Sequence, residues 1–308
     1  MKHLLPARAQ LILFAALLSG AFGISCAAPA PAQYRNLPKA GFQSFSAPGA
    51  SNSQLPASTG LYLRPGENRS PKNMAEPYDP RHQQLGFVRW ERKKMPLHIW
   101  ISPGLKLPDV PLSELKETRV DLVRDMLRTS APFKGLEQAP GWTPEMNDIV
   151  AAGIEEWRQF ETEGLISFDF TEDPRMAHIL VFFTDTFKEA DAPGGVTVGG
   201  NTCSQPLPVD KARELSAQGK EMVPLGFLQA GRGVMQNPVV IELATMINGS
   251  EGKLRGAAAH EFGHALGIIE HSPYREDLMY VDRVVEDLSA GDKATFRALY
   301  HSNPQGVL

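Results

Sequence analysis

The sequence predicts an α/β domain, because short apolar runs of strand type alternate with segments whose apolar residues recur at helical spacing. The strand-type runs are "LHIWI" (97–101), "LISFDF" (165–170), "AHILVFF" (177–183) and "PVVIEL" (238–243). The third is almost continuously apolar, which suits a central strand covered on both faces. Helical spacing runs from Pro111 to Ser130 through Leu115, Leu122, Val123, Met126 and Leu127. A second helix places Met146, Ile149, Val150, Ile154, Trp157 and Phe160 on one face, with Thr143 as N-cap and Pro144 at the first helical position.

Ahead of these elements the chain reads differently. Lys2 and Arg8 precede an apolar run from Leu11 to Ile24, which is shorter than the roughly 20 residues of a membrane span. Residues 1–32 are therefore read as a secretory signal peptide. "APA" before Gln33 suits cleavage after Ala32, whereas "GISC" loosely resembles a bacterial lipoprotein signal with Cys26 as the lipidated residue. Gly23 stands where such signals carry an aliphatic side chain, which favours free secretion over a lipid anchor. Either route exports the protein. Residues 33–86 are rich in Pro, Ser, Gly and Ala, lack periodicity, and read as a flexible lead or pro-segment.

The ordered domain is expected over 87–308. The whole chain of 308 residues is 42% hydrophobic with a net charge of −4, so nothing points to nucleic acid. Cys26 and Cys203 are the only cysteines, and processing at Cys26 would leave no intramolecular disulfide. "KLRGAAAHEFGHAL" (253–266) reads as a helix ended by Gly267, and "SAGDKATFRALYH" (289–301) as the last helix.

The chemistry lies in "HEFGHALGIIEHSPYREDLMY" (260–280). On a helix, positions i and i+4 share a face, so His260 and His264 reach one metal ion while Glu261 aims at a water on it. Gly267 tolerates the positive φ with which the chain leaves the helix. Glu270 and His271 then follow as candidate third ligands, and zinc accepts either a carboxylate oxygen or an imidazole nitrogen. Counting forward from His264 favours Glu270; counting back from Met279 favours His271. The downstream block "HSPYREDLMY" keeps its register from His271, so His271 is the expected ligand and Glu270 a neighbour in a lengthened connection.

"HEFGHALG…HS…LMY" closely resembles the zinc-binding and Met-turn segments of the metzincins, in particular their matrixin branch. Looser similarity spans most of residues 87–302. The resemblance implies an α/β zincin fold: a twisted, mostly parallel sheet, two main helices, a zinc cleft, and a small irregular C-terminal subdomain ending in a helix. It also implies an exported zinc endopeptidase acting on protein or peptide substrates, with Glu261 as general base and Met279 as a hydrophobic floor beneath the metal. By the same resemblance "GGVTV" (194–198), with Gly195, Val196 and Thr197, is expected as the edge strand that binds substrate.

Several features depart from that pattern or add nothing to it. No Pro-x-Tyr follows "LMY", and the lead holds no cysteine-switch motif. The stretches 106–141 and 199–236 exceed a minimal catalytic domain, so either is a candidate for framing substrate or contacting a partner. Calcium is common in the family, but the scattered carboxylates here form no recognisable loop. His98, His178 and His301 lack ligand spacing and read as structural, and Cys203 as an ordinary free thiol. The competing functional reading is a non-catalytic surface or lipid-tethered binding protein on the same fold; a zinc aminopeptidase is a third.

Overall fold

A continuously apolar strand needs cover on both faces, and the computed structural model supplies it. The structure describes residues 75–81, 86–187, 198–208, 222–223, 234–235, 238–301 and 306–307. The signal peptide, most of the lead, Gly195, Val196 and Thr197 lie outside the described residues. Five strands form the main sheet: β1 (Leu97–Ile101), β2 (Phe168–Phe170), β3 (Ile179–Thr184), β4 (Gly200–Cys203) and β5 (Val239–Ala244). Their spatial order is β2-β1-β3-β5-β4. All neighbours are parallel except β4, which runs antiparallel to β5 at the edge. All six residues of β3 and all six of β5 are buried, as expected of interior strands.

Strand alternation divides the core in two. Ile179, Val181, Phe183, Val239, Ile241 and Leu243 face one side, where they join Ile154, Trp157, Phe262 and Phe296. Leu180, Phe182 and Val240 face the other, where Leu115, Val120, Val123 and Leu127 cover them. The first side carries α2 (Glu145–Glu155), α3 (Glu251–Ala265) and α4 (Ala290–His301). The second carries α1 (Leu112–Leu127). The extra helix in the 106–141 stretch thus spends its apolar face on the sheet. Among the described residues no helix is long and apolar enough to cross a membrane.

The second helix differs in detail from its sequence pattern. Its α-helical part ends at Glu155 and tightens into a 3₁₀ segment, Glu156–Phe160, which carries Trp157 and Phe160 into the core. Pro144 already has helical angles, and the carbonyl of Thr143 accepts from Met146 N without a side-chain cap. A residue ahead of position 87 also joins the core. Tyr78 is fully buried, its amide donates to Thr295 Oγ1, and its hydroxyl donates to Asp292 Oδ1. A single aromatic in a Pro-rich stretch has no periodicity to betray it, so this anchor was not legible as an element.

Two polar features sit inside the fold. Arg119 Nε on α1 lies 2.7 Å from Glu242 Oε2 on β5, both nearly inaccessible, although the approach lacks hydrogen-bond alignment. The Arg119 guanidinium also donates to Pro108 O at 2.8 Å. Burial pushes the Glu242 carboxyl up, and Arg119 opposes that rise. His178 accepts the His98 amide at Nδ1 (3.0 Å), stacks on the His98 ring, and meets Trp90 edge-on. Burial lowers its pKa to about 4, with the neighbouring His98 and Lys94 adding to the effect.

Two outcomes follow from these groups. Removing one partner of a buried ion pair leaves an uncompensated charge, so Glu242→Ala should cost about 3–5 kcal/mol in a urea titration. The Arg119→Met, Glu242→Leu double variant should lose less than either single one; a larger loss in the double variant would contradict this. His178 stays neutral when folded down to about pH 4 but titrates near 6.5 when unfolded. The unfolded chain therefore binds more protons between those values, so its contribution is complete above about pH 6.5 and fades as pH falls toward 4. Urea midpoints at about pH 7 and about pH 5 should diverge less for His178→Phe than for wild type, and equal divergence would refute the assignment.

Candidate functional site

The site is built on the C-terminal half of α3. Ser250 caps the start of this helix through its side chain, accepting from Lys253 N. Its middle is mostly alanine and glycine, and residues 256–263 are all buried, so the helix is enclosed rather than surface-lying. At its C-terminus Gly267 adopts φ +112°, a region open to glycine. There Ile268 N donates to Gly263 O and Gly267 N to His264 O, the paired bonds of a Schellman ending. The next two carbonyls are taken by distant side chains. Trp90 Nε1 donates to Ala265 O at 2.8 Å, and the Tyr300 hydroxyl to Leu266 O at 3.0 Å.

Sharp exit at Gly267 brings the following chain back beneath the helix. His271 then stands beside His260 and His264, and the ligand nitrogens of the three lie within 4.8 Å of one another. Glu270 does not join that group. His264 Nε2 is 3.2 Å from His260 Nε2 and 3.3 Å from His271 Nε2. A tetrahedral ion with bonds of about 2.0–2.1 Å to nitrogen would set its ligands about 3.3 Å apart. The spacing of these two pairs fits a metal ion.

The tautomers of two of these rings strengthen that fit. His260 Nδ1 lies 2.7 Å from Leu278 O, and His264 Nδ1 lies 2.6 Å from Ile268 O. A carbonyl only accepts, so both Nδ1 atoms carry hydrogen and both Nε2 atoms present lone pairs. The short contact between those Nε2 atoms is then not a hydrogen bond but two lone pairs aimed at one point. A cation there resolves the repulsion. Burial pushes the pKa of His260 down to about 3 and that of His264 well down, and lowers that of His271, so all three favour the neutral form that binds metal.

The loop beneath the histidines is held by buried carboxylates. Asp292 Oδ2 accepts from Leu278 N (2.8 Å) and Ser289 N, while Oδ1 accepts the Tyr78 hydroxyl. Asp277 accepts from the Ser272 and Ser289 hydroxyls at 2.5 and 2.6 Å. Ser272 N donates to Met279 O, closing the loop on itself. Met279 is fully buried, and a Cβ at Gly263 would come within 2.5 Å of its sulfur, so glycine there lets the thioether lie against the helix.

Glu261 points to the sheet edge. Its Oε2 accepts the Thr202 hydroxyl at 2.7 Å, and a Cβ at Gly200 would collide with its Cγ and Oε1. Burial pushes the Glu261 carboxyl up to about 7, while the Thr202 hydrogen bond and Arg283 act in the opposite direction. Cys203, the next residue on β4, turns to the opposite face, is buried near Leu115 O, and has its pKa raised by burial to about 11. His98 and His178 stack on each other outside the three-histidine group, and His301 is exposed on α4.

The described edge strand is Gly200–Cys203, two residues beyond the expected "GGVTV"; its pairing to β5 begins where Ala244 N meets Gly199 O. Sequence patterns also did not single out Thr202, Gly200, Tyr78 or the orienting carbonyls, which are recognisable only by proximity. Asp292 did carry a local signal. Ser289 and Asp292 form a reciprocal capping pair of the S-x-x-D type. No protein-family model matches the chain, and no curated protein shows significant similarity to it.

The histidine cluster and the loop that supports it can be perturbed separately. Zn²⁺ titrations should show His271→Ala losing most metal affinity while Glu270→Ala binds as wild type; the reverse pattern would reassign the ligand. Asp292→Ala, which loosens the loop that carries the Leu278 carbonyl, should weaken Zn²⁺ binding by about 10–100-fold.

Proposed function

We propose that this protein is an exported zinc endopeptidase of metzincin type, resembling the matrixin branch. The observation that carries the reading is the convergence of the His260, His264 and His271 ring nitrogens, with the Glu261 carboxylate on the same helix. Three imidazoles suit zinc, and three protein ligands leave a fourth position open. The mostly parallel five-stranded sheet, with one antiparallel edge strand beside α3, is compatible with a zincin fold. Export rests on the residues 1–32 signal pattern alone.

Zinc, when bound, supplies Lewis acidity and acidifies a water molecule to a pKa of about 7. His260 and His264 contribute neutral nitrogens, fixed in tautomer by Leu278 O and Ile268 O. Glu261 takes the proton released as water attacks the peptide carbonyl, holds it on its carboxylate, and passes it to the leaving amine. Burial and the raised pKa of this carboxyl suit a base that must also return the proton near neutrality. Met279 contributes packing beneath the histidines and no ligand atom.

Digestion of a peptide library by the purified protein should give internal cuts that a chelator abolishes and added Zn²⁺ restores. Glu261→Gln should retain one zinc per chain while losing roughly 10²–10⁴-fold in rate. Zinc binding without any cuts would favour the binding-protein reading, and release of single N-terminal residues an aminopeptidase.

A further inference from the structure

We infer that Thr202 is a positioning residue for Glu261, and that β4 thereby sets the orientation of the general base. The inference rests on the hydrolase reading above. Residues 200 and 202 share one face of β4 because side chains alternate along a strand. That face looks onto α3, and each of the two residues meets the Glu261 side chain. Gly200 leaves space for the Cγ and Oε1 that a Cβ would strike at 2.6 and 2.7 Å. Thr202 Oγ1 stands 2.7 Å from Oε2 and 3.0 Å from the Glu261 carbonyl oxygen. A hydroxyl has one hydrogen, and the shorter, charge-assisted contact to the carboxylate takes it.

The division of labour between the two oxygens follows. Oε2 is occupied by the hydroxyl, and Oε1 lies against the Gly200 backbone without a side chain to cover it. A buried carboxylate with one oxygen tied down loses the freedom to rotate about its terminal torsion, which is otherwise broad. Oε1 is then the oxygen presented for proton transfer. Cys203 and Asn201 face the other way, so the effect belongs to one alternate set of β4 side chains. The register Thr202↔Ile241 and Cys203↔Val240 fixes that set, because a slip by one residue would aim the thiol at Glu261 instead.

The test compares wild type with Thr202→Val, which removes the hydroxyl at nearly constant volume, and Thr202→Ser, which keeps it. In the zinc-loaded full chain, Thr202→Val should lower kcat by about tenfold or more with KM within about twofold, and Thr202→Ser should restore most of kcat. Zinc stoichiometry and thermal midpoint should stay close to wild type in Thr202→Ser. A readout free of turnover is the carboxyl ¹³C resonance of Glu261 in metal-free protein, which should shift in Thr202→Val and not in Thr202→Ser. Wild-type kcat in Thr202→Val, equal loss in both variants, or an unmoved resonance in Thr202→Val would overturn the assignment. A wild-type chain that binds zinc and cuts no peptide would instead overturn the hydrolase reading on which it rests.

Discussion

The geometry of the histidine cluster depends on how the C-terminal end of α3 is closed. The last four carbonyls of a helix have no partner within it. Here each finds one: Gly263 O from Ile268 N, His264 O from Gly267 N, Ala265 O from Trp90 Nε1 and Leu266 O from the Tyr300 hydroxyl. Two donors come from the turn itself, one from the start of the domain and one from its last helix. The same closure places the Ile268 carbonyl against His264 Nδ1. Satisfying the backbone and orienting the His264 ring are therefore one event.

A second closure orients the other helical histidine. Leu278 O receives His260 Nδ1, and Leu278 N is held by Asp292. Asp292 in turn caps α4 and receives the Tyr78 hydroxyl, so one buried carboxylate links the chain before residue 87, the loop carrying Met279, and the last helix. Such a carboxylate is tolerated in the interior because donors surround it. It also makes the position of His271 a property of the whole helical layer rather than of a short motif.

The sheet separates this chemistry from a purely structural layer. On the α1 side lie the Arg119–Glu242 pair, Cys203 and an aromatic cluster of Trp100, Phe133 and Phe182. On the α3 side lie Thr202, Glu261 and the histidines. Adjacent residues of β4 serve opposite layers, so a thiol with no visible role stands one position from a hydroxyl bound to the candidate base. Exposure of both faces to helices explains why β3 and β5 are buried throughout.

Periodicity and spacing by themselves determined that α/β elements alternate, that β3 is interior, that His260, Glu261 and His264 share one helix, and that Gly267 ends it. These are local consequences of 3.6-residue and two-residue repeats and of glycine's access to positive φ. The sequence offered both Glu270 and His271 as third ligand and could rank them only by register with Met279. Tertiary structure brought His271 to the cluster, between a helix end held by Trp90 and Tyr300 and a loop held by Asp292, residues distant along the chain. Thr202 and Tyr78 were invisible for the same reason. A single polar or aromatic side chain carries no period, and only the folded backbone decides what it touches.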